Sequence, residues 1–445
     1  TFKNGSIKFK SLKFIGTVKQ LREISKPENQ KSFSGELEMQ KVDWLKPLPP
    51  LREVTGTFKF DKGNSSFLIQ KARYEKQPLS NFRGNIKNLI TWPVADFSLE
   101  NKVDMAWLHR ALKNAFKGQP IHDAISLYSE LEGSAKIRLD VKGPLKDFDE
   151  LAIEGIIDLQ SVSLKDKEYE PRIKNLNGKI IYTHIPQVLK RKSEPWVRII
   201  QYKNLSGDFS FSKFTDLNGE LGLRNGKPYE KGSAHYNLDF RDLYWILEKE
   251  KEVTLQDTLN FTSGEVLIEN EFKGNPEQPE TEKEWGKIKL KNLSMKYQNQ
   301  LQAMTDFNGI ISYSDEKFRL QNVLGIYGNS PLHLEGEINP KNKSAPEFSL
   351  RLNLPALRNE ELKGIPVFSD FNYSGYANIS MSINGTPNDF KFEQQADLTR
   401  TGYKIPSLVQ KKENAFNQFK AKGMLTKKDG LDINDWVYEL GGNKI

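Results

Sequence analysis

The chain has 445 residues, a hydrophobic fraction of 37%, a charged fraction of 28% and a formal net charge of +8 at pH 7. That length exceeds what one compact core serves, so several domains or an extended repeat are expected. The absence of cysteine excludes disulfides, thiol catalysis and cysteine metal sites, and the absence of any apolar run of about 18 residues excludes a spanning helix within this sequence.

In chain order, the dominant period is two. Gly35, Gly56 and Gly84 mark the first strands, with Gly56 inside Thr55-Gly56-Thr57-Phe58-Lys59-Phe60. Asp104 to Phe116 carries Trp107, Leu108, Ala111, Leu112 and Ala115 at helical spacing, and His122 to Leu131 is a shorter helix candidate. From Gly133 to Gly143, Ala135, Ile137, Leu139 and Val141 take one face of a strand while Lys136, Arg138 and Asp140 take the other. Leu151, Ile153, Ile157 and Leu159 repeat the pattern. The charged run Lys190-Arg191-Lys192 before Pro195 predicts a solvated loop, and Asp242 to Glu250 a short helix. Val266, Ile268 and Phe272 form the next one-faced row, followed by Gly274 to Glu284, rich in Pro and Glu, which reads as a loop. Three further rows are Phe318, Leu320, Leu324, Ile326; then Leu332, Leu334, Ile338; then Phe348, Leu350, Leu352, Leu354. Pro355 to Leu362 predicts one or two helical turns, and Gly375 to Gly385 opens a last alternating run. Short Gly, Asn, Asp and Pro clusters between the rows predict hairpins and a mostly antiparallel sheet.

The glycines recur at matched intervals. Asn175-Leu176-Asn177-Gly178-Lys179-Ile180-Ile181-Tyr182 parallels Asp306-Phe307-Asn308-Gly309-Ile310-Ile311-Ser312-Tyr313, and Gly56–Gly84, Gly178–Gly207 and Gly309–Gly336 are 28, 29 and 27 residues apart. The spacing predicts a unit of roughly 110–130 residues used three to four times along one axis. We assign the repeats to 1–117, 118–250, 251–370 and 371–445, the first and last truncated. About twenty half-buried strands with so few helices leave an apolar face that helices cannot cover. Two sheets cover each other, or the face lines a groove filled by something apolar.

Catalytic constellations are missing from the pattern. His109, His122, His184, His235 and His333 have no metal-ligand spacing, and Gly222 to Pro228 is too short for a phosphate loop. No Gly-x-Ser-x-Gly elbow occurs. Asp147, Asp149 and Glu150 sit beside a turn, a structural place for Asp. Phe58, Phe60, Tyr182, Tyr313 and Phe348 lie on alternating strands, where they line a core or groove rather than stack on bases. The expectation is therefore a non-enzyme with no cofactor, no metal and no nucleic-acid partner. The excess positive charge is scattered over a lysine-rich face.

Leu139-Asp140-Val141-Lys142-Gly143-Pro144-Leu145-Lys146-Asp147-Phe148 resembles the strand, Gly-Pro-Leu, Asp step of the bacterial AsmA-like family, of the AsmA, TamB and YhdP type. Asn384-Gly385-Thr386-Pro387-Asn388-Asp389-Phe390 echoes it, and Gly325-Ile326-Tyr327-Gly328-Asn329-Ser330-Pro331-Leu332-His333-Leu334-Glu335-Gly336-Glu337-Ile338 resembles the family's glycine, Ser-Pro-Leu strand pair. The resemblance covers nearly the whole chain and is best from Gly133 to Gly385. It implies a mainly β fold: an elongated, twisted antiparallel repeating β-groove, U-shaped, with a few short crossover helices, similar in plan to the eukaryotic bridge-like lipid transfer proteins. It also implies a periplasmic protein anchored in the inner membrane, of which this chain is a fragment, carrying phospholipid between inner and outer membranes. The expected groove lining is Ala135, Ile137, Leu139, Val141, Ile153, Ile157, Val266, Ile268, Leu332, Leu334, Leu350 and Leu352, with phospholipid acyl chains as partners. The competing expectation is a structural or adhesive stacked β-sandwich or solenoid with no lipid ligand.

Overall fold

The fold comes from a computed structural model that describes residues 2–23, 26–44, 51–88, 92–115, 117, 122, 125–145, 150–167, 172–186, 197–224, 227–243, 259–275, 277–297, 302–315, 317–339, 346–362, 372–405, 409–426, 430–441 and 443–444. The chain is mainly β, with one long antiparallel open sheet and few helices. It divides into two compact units.

The first unit comprises Thr1–Ser210, Thr215–Gly232 and Gly274–Thr281. It holds β1 (Phe2–Lys3), β2 (Ser6–Phe14), β3 (Phe33–Trp44), β4 (Leu51–Asp61), β5 (Asn64–Tyr74), β6 (Gln77–Lys87), β7 (Val94–Asp104), β8 (Tyr128–Pro144), β9 (Ala152–Asp166), β10 (Ile173–Ile185) and β11 (Val197–Phe209). β1 and β2 both pair with β3, and each later strand pairs with the next in sequence. β12 (Ser212–Arg224), β13 (Lys227–Asp239), β14 (Leu259–Asn275) and β15 (Gln278–Tyr297) follow.

The second unit comprises Phe211–Phe214, Ser233–Lys273 and Glu282–Ile445. Here β15 leads into β16 (Met304–Ser314), β17 (Lys317–Tyr327), β18 (Ser330–Asn339), β19 (Glu347–Arg358), β20 (Tyr373–Gly385) and β21 (Asp389–Asp397), again neighbour to neighbour. β21 then pairs with β24 (Asn417–Thr426), β24 with β25 (Gly430–Leu440), and β25 with the two-residue β26 (Asn443–Lys444). β22 (Thr401–Ile405) and β23 (Val409–Lys411) branch off β20.

Register keeps one face apolar, because alternate residues of a strand point to opposite faces. In the first unit one cross-strand row reads Phe9, Leu37, Phe58, Phe67, Gly84, Phe97, Val141, Ile153, His184, Arg198. In the second, a row reads Ile311, Leu320, Gly336, Leu350, Ile383, Phe392, Gly423, Ile433. At Gly84 and Gly423 a ring lies over the glycine, whereas Gly336 has a positive φ of 141° and the β19 backbone against it. A Cβ at Gly84 would sit 2.5 Å from Phe97 Cβ and 3.0 Å from the Phe67 ring. The rings of Phe348 and Phe390, two strands apart, face each other 6.2 Å between centroids across Gly385.

A second regularity is a left-handed residue in many strands, followed by an apolar residue that is buried in most of them. Lys41, Glu53, Ser161, Asn175, Asn204, Asp216, Asn292, Asp306 and Asn322 have φ between 47° and 55°. Several coincide with register shifts, so these are β-bulges, which insert one residue and bend the strand. In Asn175-Leu176-Asn177-Gly178, Asn177 Nδ2 donates to the Asn175 carbonyl at 2.6 Å and Asn177 Oδ1 accepts from the Ser161 amide at 2.9 Å. The same pair of bonds joins Asn218 to Asp216 and Asn204, and Asn308 to Asp306 and Asn292. The Asn side chain thus ties its own bulge to that of the neighbouring strand. Asn and Asp enter the left-handed region more readily than other non-glycine residues, which explains their place at the bulge.

Helices are few. α1 (Val18–Arg22) starts from a capping box between Thr17 and Gln20, an element the apolar periodicity does not announce. α2 (Met105–Ala115) matches the expected helix and is capped by Asp104, whose Oδ1 accepts from the Trp107 amide at 2.8 Å. α3 (Asn359–Leu362) is shorter than the predicted Pro355 to Leu362, because Pro355 to Arg358 continue β19. Three other expectations need correction. Of the helix expected over His122 to Leu131, His122, Ile125 and Ser126 are helical but Tyr128 to Leu131 belong to β8, and of the loop expected over Gly274 to Glu284, Gly274 and Asn275 end β14 and Gln278 to Glu284 open β15. Leu324 and Ile326 do not extend the row of Phe318 and Leu320, since the bulge at Asn322 moves Val323 and Gly325 onto that face and leaves Leu324 53% exposed. Lys190 to Lys192, and residues 244–250 of the helix expected from Asp242, lie outside the described residues.

Replacing Asn308 by Ala removes both bonds of one bulge tie and a third, from Asn308 Nδ2 to Asn292 Oδ1 at 3.0 Å. It is expected to lower stability by about 1 kcal/mol, with Asn308→Asp, which keeps the acceptor, between the two. Urea unfolding of the three proteins measures this; equal midpoints would show that the tie does not hold the bulge.

Candidate functional site

The candidate site is the apolar face. β8 and β9 bring Ile137 opposite Ile157 and Val141 opposite Ile153, with Ala135 opposite Leu159 and Leu139 opposite Gly155. All six expected residues of these strands therefore share one face. Across β7 the row continues through Val103, Asn101, Leu99 and Phe97. In the second unit Leu334 pairs with Leu352, and Leu350 lies opposite Gly336; Leu332 faces Gly325. Val266 and Ile268 join the face of Tyr313 by alternation from Asn270, whose Oδ1 accepts from Tyr313 Oη at 2.8 Å over Gly286. The remaining question is what covers them.

Burial answers it locally. Ala135, Val141, Ile153, Val266 and Leu332 are buried, whereas Ile137, Leu139, Ile157, Ile268, Leu334, Leu350 and Leu352 are only half-buried. The core clusters have the composition of a single layer. One joins Met39, Val42, Val54, Ile69 and Ala72 with Leu37, Phe58, Phe67 and Phe82, all from β3 to β6. Another joins Val141, Leu151 and Ile153 with Phe97, Leu139 and Tyr182, from β7 to β10 and the turn before β9. Neighbouring side chains on the same sheet do the burying, and among the described residues no second-layer side chain belongs to either cluster. Phe67, Phe82, Phe97, Ile383 and Phe392 belong to this face but are not among the expected lining. Phe67, Phe97 and Phe392 each lie opposite a glycine, whereas Phe82 lies opposite Ile69 and Ile383 opposite Leu350.

The opposite face is ionic. Lys59 and Lys10 reach Glu36 at 3.2 and 4.0 Å, Lys136 reaches Glu100 at 2.6 Å, Lys317 and Arg319 reach Glu337 at 2.7 and 2.8 Å, and Arg351 reaches Glu335 at 3.2 Å. The hydrogen bonds from Lys317 and Arg319 hold the Glu337 carboxyl below its ordinary range. With the folded value depressed, its contribution is present at neutral pH and lost as pH falls through that lowered value. Exposed pairs of this kind add little to stability one by one. Their larger effect is to keep this face in water. Two open depressions of about 580 and 460 Å³ lie on this charged side, the first between Arg319, Glu335, Glu337 and Arg351, the second between Lys59, Arg83 and Asp96. Of their lining side chains, Arg319, Glu335, Glu337 and Arg351 in the first and Lys59 and Asp96 in the second are engaged in ion pairs.

The histidines stand apart from one another. His184 is fully buried and accepts at Nδ1 from Arg198 Nε at 3.3 Å, while His109 Nε2 meets the Ile125 carbonyl at 3.0 Å. Among the described residues, no three His, Cys, Asp or Glu side chains converge as metal ligands, and no helix is long and apolar enough to cross a membrane. No protein-family model, no curated protein and no solved structure matches the chain.

Truncation ranks the face. Ile153→Ala, in the buried cluster, is expected to cost about 2–4 kcal/mol, and the half-covered Ile137→Ala about 1–2 kcal/mol. Equal large losses at both positions in urea unfolding would mean that a second layer covers Ile137.

Proposed function

We propose that this chain is a lipid-carrying segment of a periplasmic protein of the AsmA-like type, anchored in the inner membrane and moving phospholipid between the inner and outer membranes. The observation that carries the reading is the half-buried aliphatic face of an open sheet whose other face is ionic. A ligand of hydrocarbon completes the burial that the protein leaves unfinished, each methylene contributing about 0.8 kcal/mol. Charged head groups stay in water at the rim. The bulges support a groove: each bends its strand, and a bend repeated on successive strands curves a sheet. Similar aliphatic rows on successive strands make binding energy nearly uniform, so an acyl chain moves along them without a deep trap. In this reading the residues bind and guide, and none performs covalent chemistry.

Native mass spectrometry of the purified protein is expected to show co-purified phospholipid. Photo-cross-linking residues at Ile137 or Leu334 are expected to label lipid, and those at Lys136 or Glu335 are not. Equal labelling from both faces would refute the assignment.

Leu334→Asp places a carboxylate in the path of hydrocarbon, where an unpaired charge is costly. An open face lets water reach that carboxylate in the empty protein. The variant is expected to remain folded by circular dichroism and to lose most of its transfer between liposomes. A folded variant with undiminished transfer would sink the conduit reading at this position, and an unfolded one would favour a closed sandwich.

A further inference from the structure

A charged side chain sits among the apolar rows of the first unit. In the patch that β7 to β11 share, strand pairing sets one row as Phe97, Val141, Ile153, His184 and Arg198. The next row ends on Tyr182 and Ile200, and the one after it on Ile180 and Tyr202. Apart from Arg198, no side chain in these three rows carries a fixed charge. The position is close to one rim of the sheet, since Arg198 is the second residue of β11 and His184 the last but one of β10. Arg198 is half-buried, and His184 opposite it is wholly buried. Arg198 Nε donates to His184 Nδ1 at 3.3 Å, which orients the guanidinium. An imidazole that accepts at Nδ1 is neutral, so the pair presents one positive charge.

We infer that Arg198 binds the phosphate of the lipid and makes a head-group station at the rim of the apolar face; the inference rests on the lipid reading above. The forked N–H groups of a guanidinium match two oxygens of a phosphodiester, a geometry that a lysine ammonium does not reproduce. On a hydrocarbon face the surroundings have a low dielectric, which makes such a pairing stronger than it would be in open water. The aliphatic surface begins at the same point. Along the strands from the Arg198 row, the rows of Tyr182 and Ile180 lie about 7 and 13 Å away, a path that an acyl chain can follow. Charge at one end and hydrocarbon beyond it reproduce the order of groups in a phospholipid. A diacylglycerol, with the same chains and no phosphate, forgoes the contact with Arg198.

The test is native mass spectrometry of the intact protein incubated with equal amounts of phosphatidylglycerol and of the diacylglycerol with the same acyl chains. The parent is expected to favour the phospholipid at least tenfold. Arg198→Met keeps an apolar stem and removes the charge, and is expected to bind the two lipids alike. Arg198→Lys keeps the charge without the fork and is expected to fall between them. A parent that binds both lipids alike, or an Arg198→Met variant that keeps the parent's preference, would overturn the assignment and leave the lipid reading standing. A parent that binds neither lipid would end both. Inorganic phosphate that displaces phosphatidylglycerol at equal concentration would also overturn the assignment and make Arg198 a site for the free anion. Melting curves identify a variant that fails to fold. Should Arg198→Met be one, a preference that Arg198→Lys reduces supports the proposal, and a preference that it leaves intact overturns it.

Discussion

The sheet depends on where its extra residues go. A strand with a period of two cannot absorb one additional residue without turning every later side chain to the wrong face. Here that residue takes the left-handed conformation at a bulge, and at the bulges of Asn175, Asp216 and Asp306 the Asn two positions on bonds both the local carbonyl and the amide of the next strand's bulge. The apolar residue that follows the left-handed one stays inward in most strands: Val42, Val54, Val162, Leu176, Leu205, Leu293, Phe307 and Val323 are buried. Face assignment, ionic ladder and apolar rows all presuppose this arrangement.

Much of this was legible in the sequence, but not its meaning. The phrases around Gly178 and Gly309 were visible as repeats, and Asp216-Leu217-Asn218-Gly219 is a third instance. What they encode is a bulge tie, which needs the neighbouring strand to be seen. The same blindness put Leu324 and Ile326 on the wrong face: counting by twos from Phe318 ignores the residue that the bulge at Asn322 removes from the count. Helix α2 was readable because Asp104 caps it and its apolar residues recur at helical spacing. Helix α1 was not, since its five residues leave Val18 and Leu21 exposed and offer no buried face. Pro355 to Arg358 extend a strand because β20 pairs with Leu357 and Arg358 beyond a bulge at Pro355 and Ala356, and such long-range pairing overrides local propensity.

The site was legible to the same depth. Alternation alone placed all twelve expected aliphatic residues on strands; register places ten of them on the apolar face within each unit, and the Tyr313–Asn270 bond places Val266 and Ile268 there by alternation. The aromatic part of the face was harder to see. A ring such as Phe97 opposite Gly84 fills space that belongs to two strands, so its contribution appears only once the pairing is known. The half-burial of Ile137 and Leu334 could not be read from sequence at all, because alternation says which side a residue faces and not what stands over it.

The glycines carry a mechanical consequence. In a sheet joined only by adjacent strands, each strand answers to its two neighbours, and fraying proceeds one strand at a time. Where a glycine withdraws its side chain, the strands on either side touch over it: Phe348 meets Phe390 across Gly385, and Tyr313 bonds Asn270 across Gly286. Peeling the outer strand there must break a contact with the strand beyond its neighbour. Such second-neighbour links couple strands in threes, so that the stretches around β14–β16 and β19–β21 open as blocks, while glycine-free stretches open strand by strand.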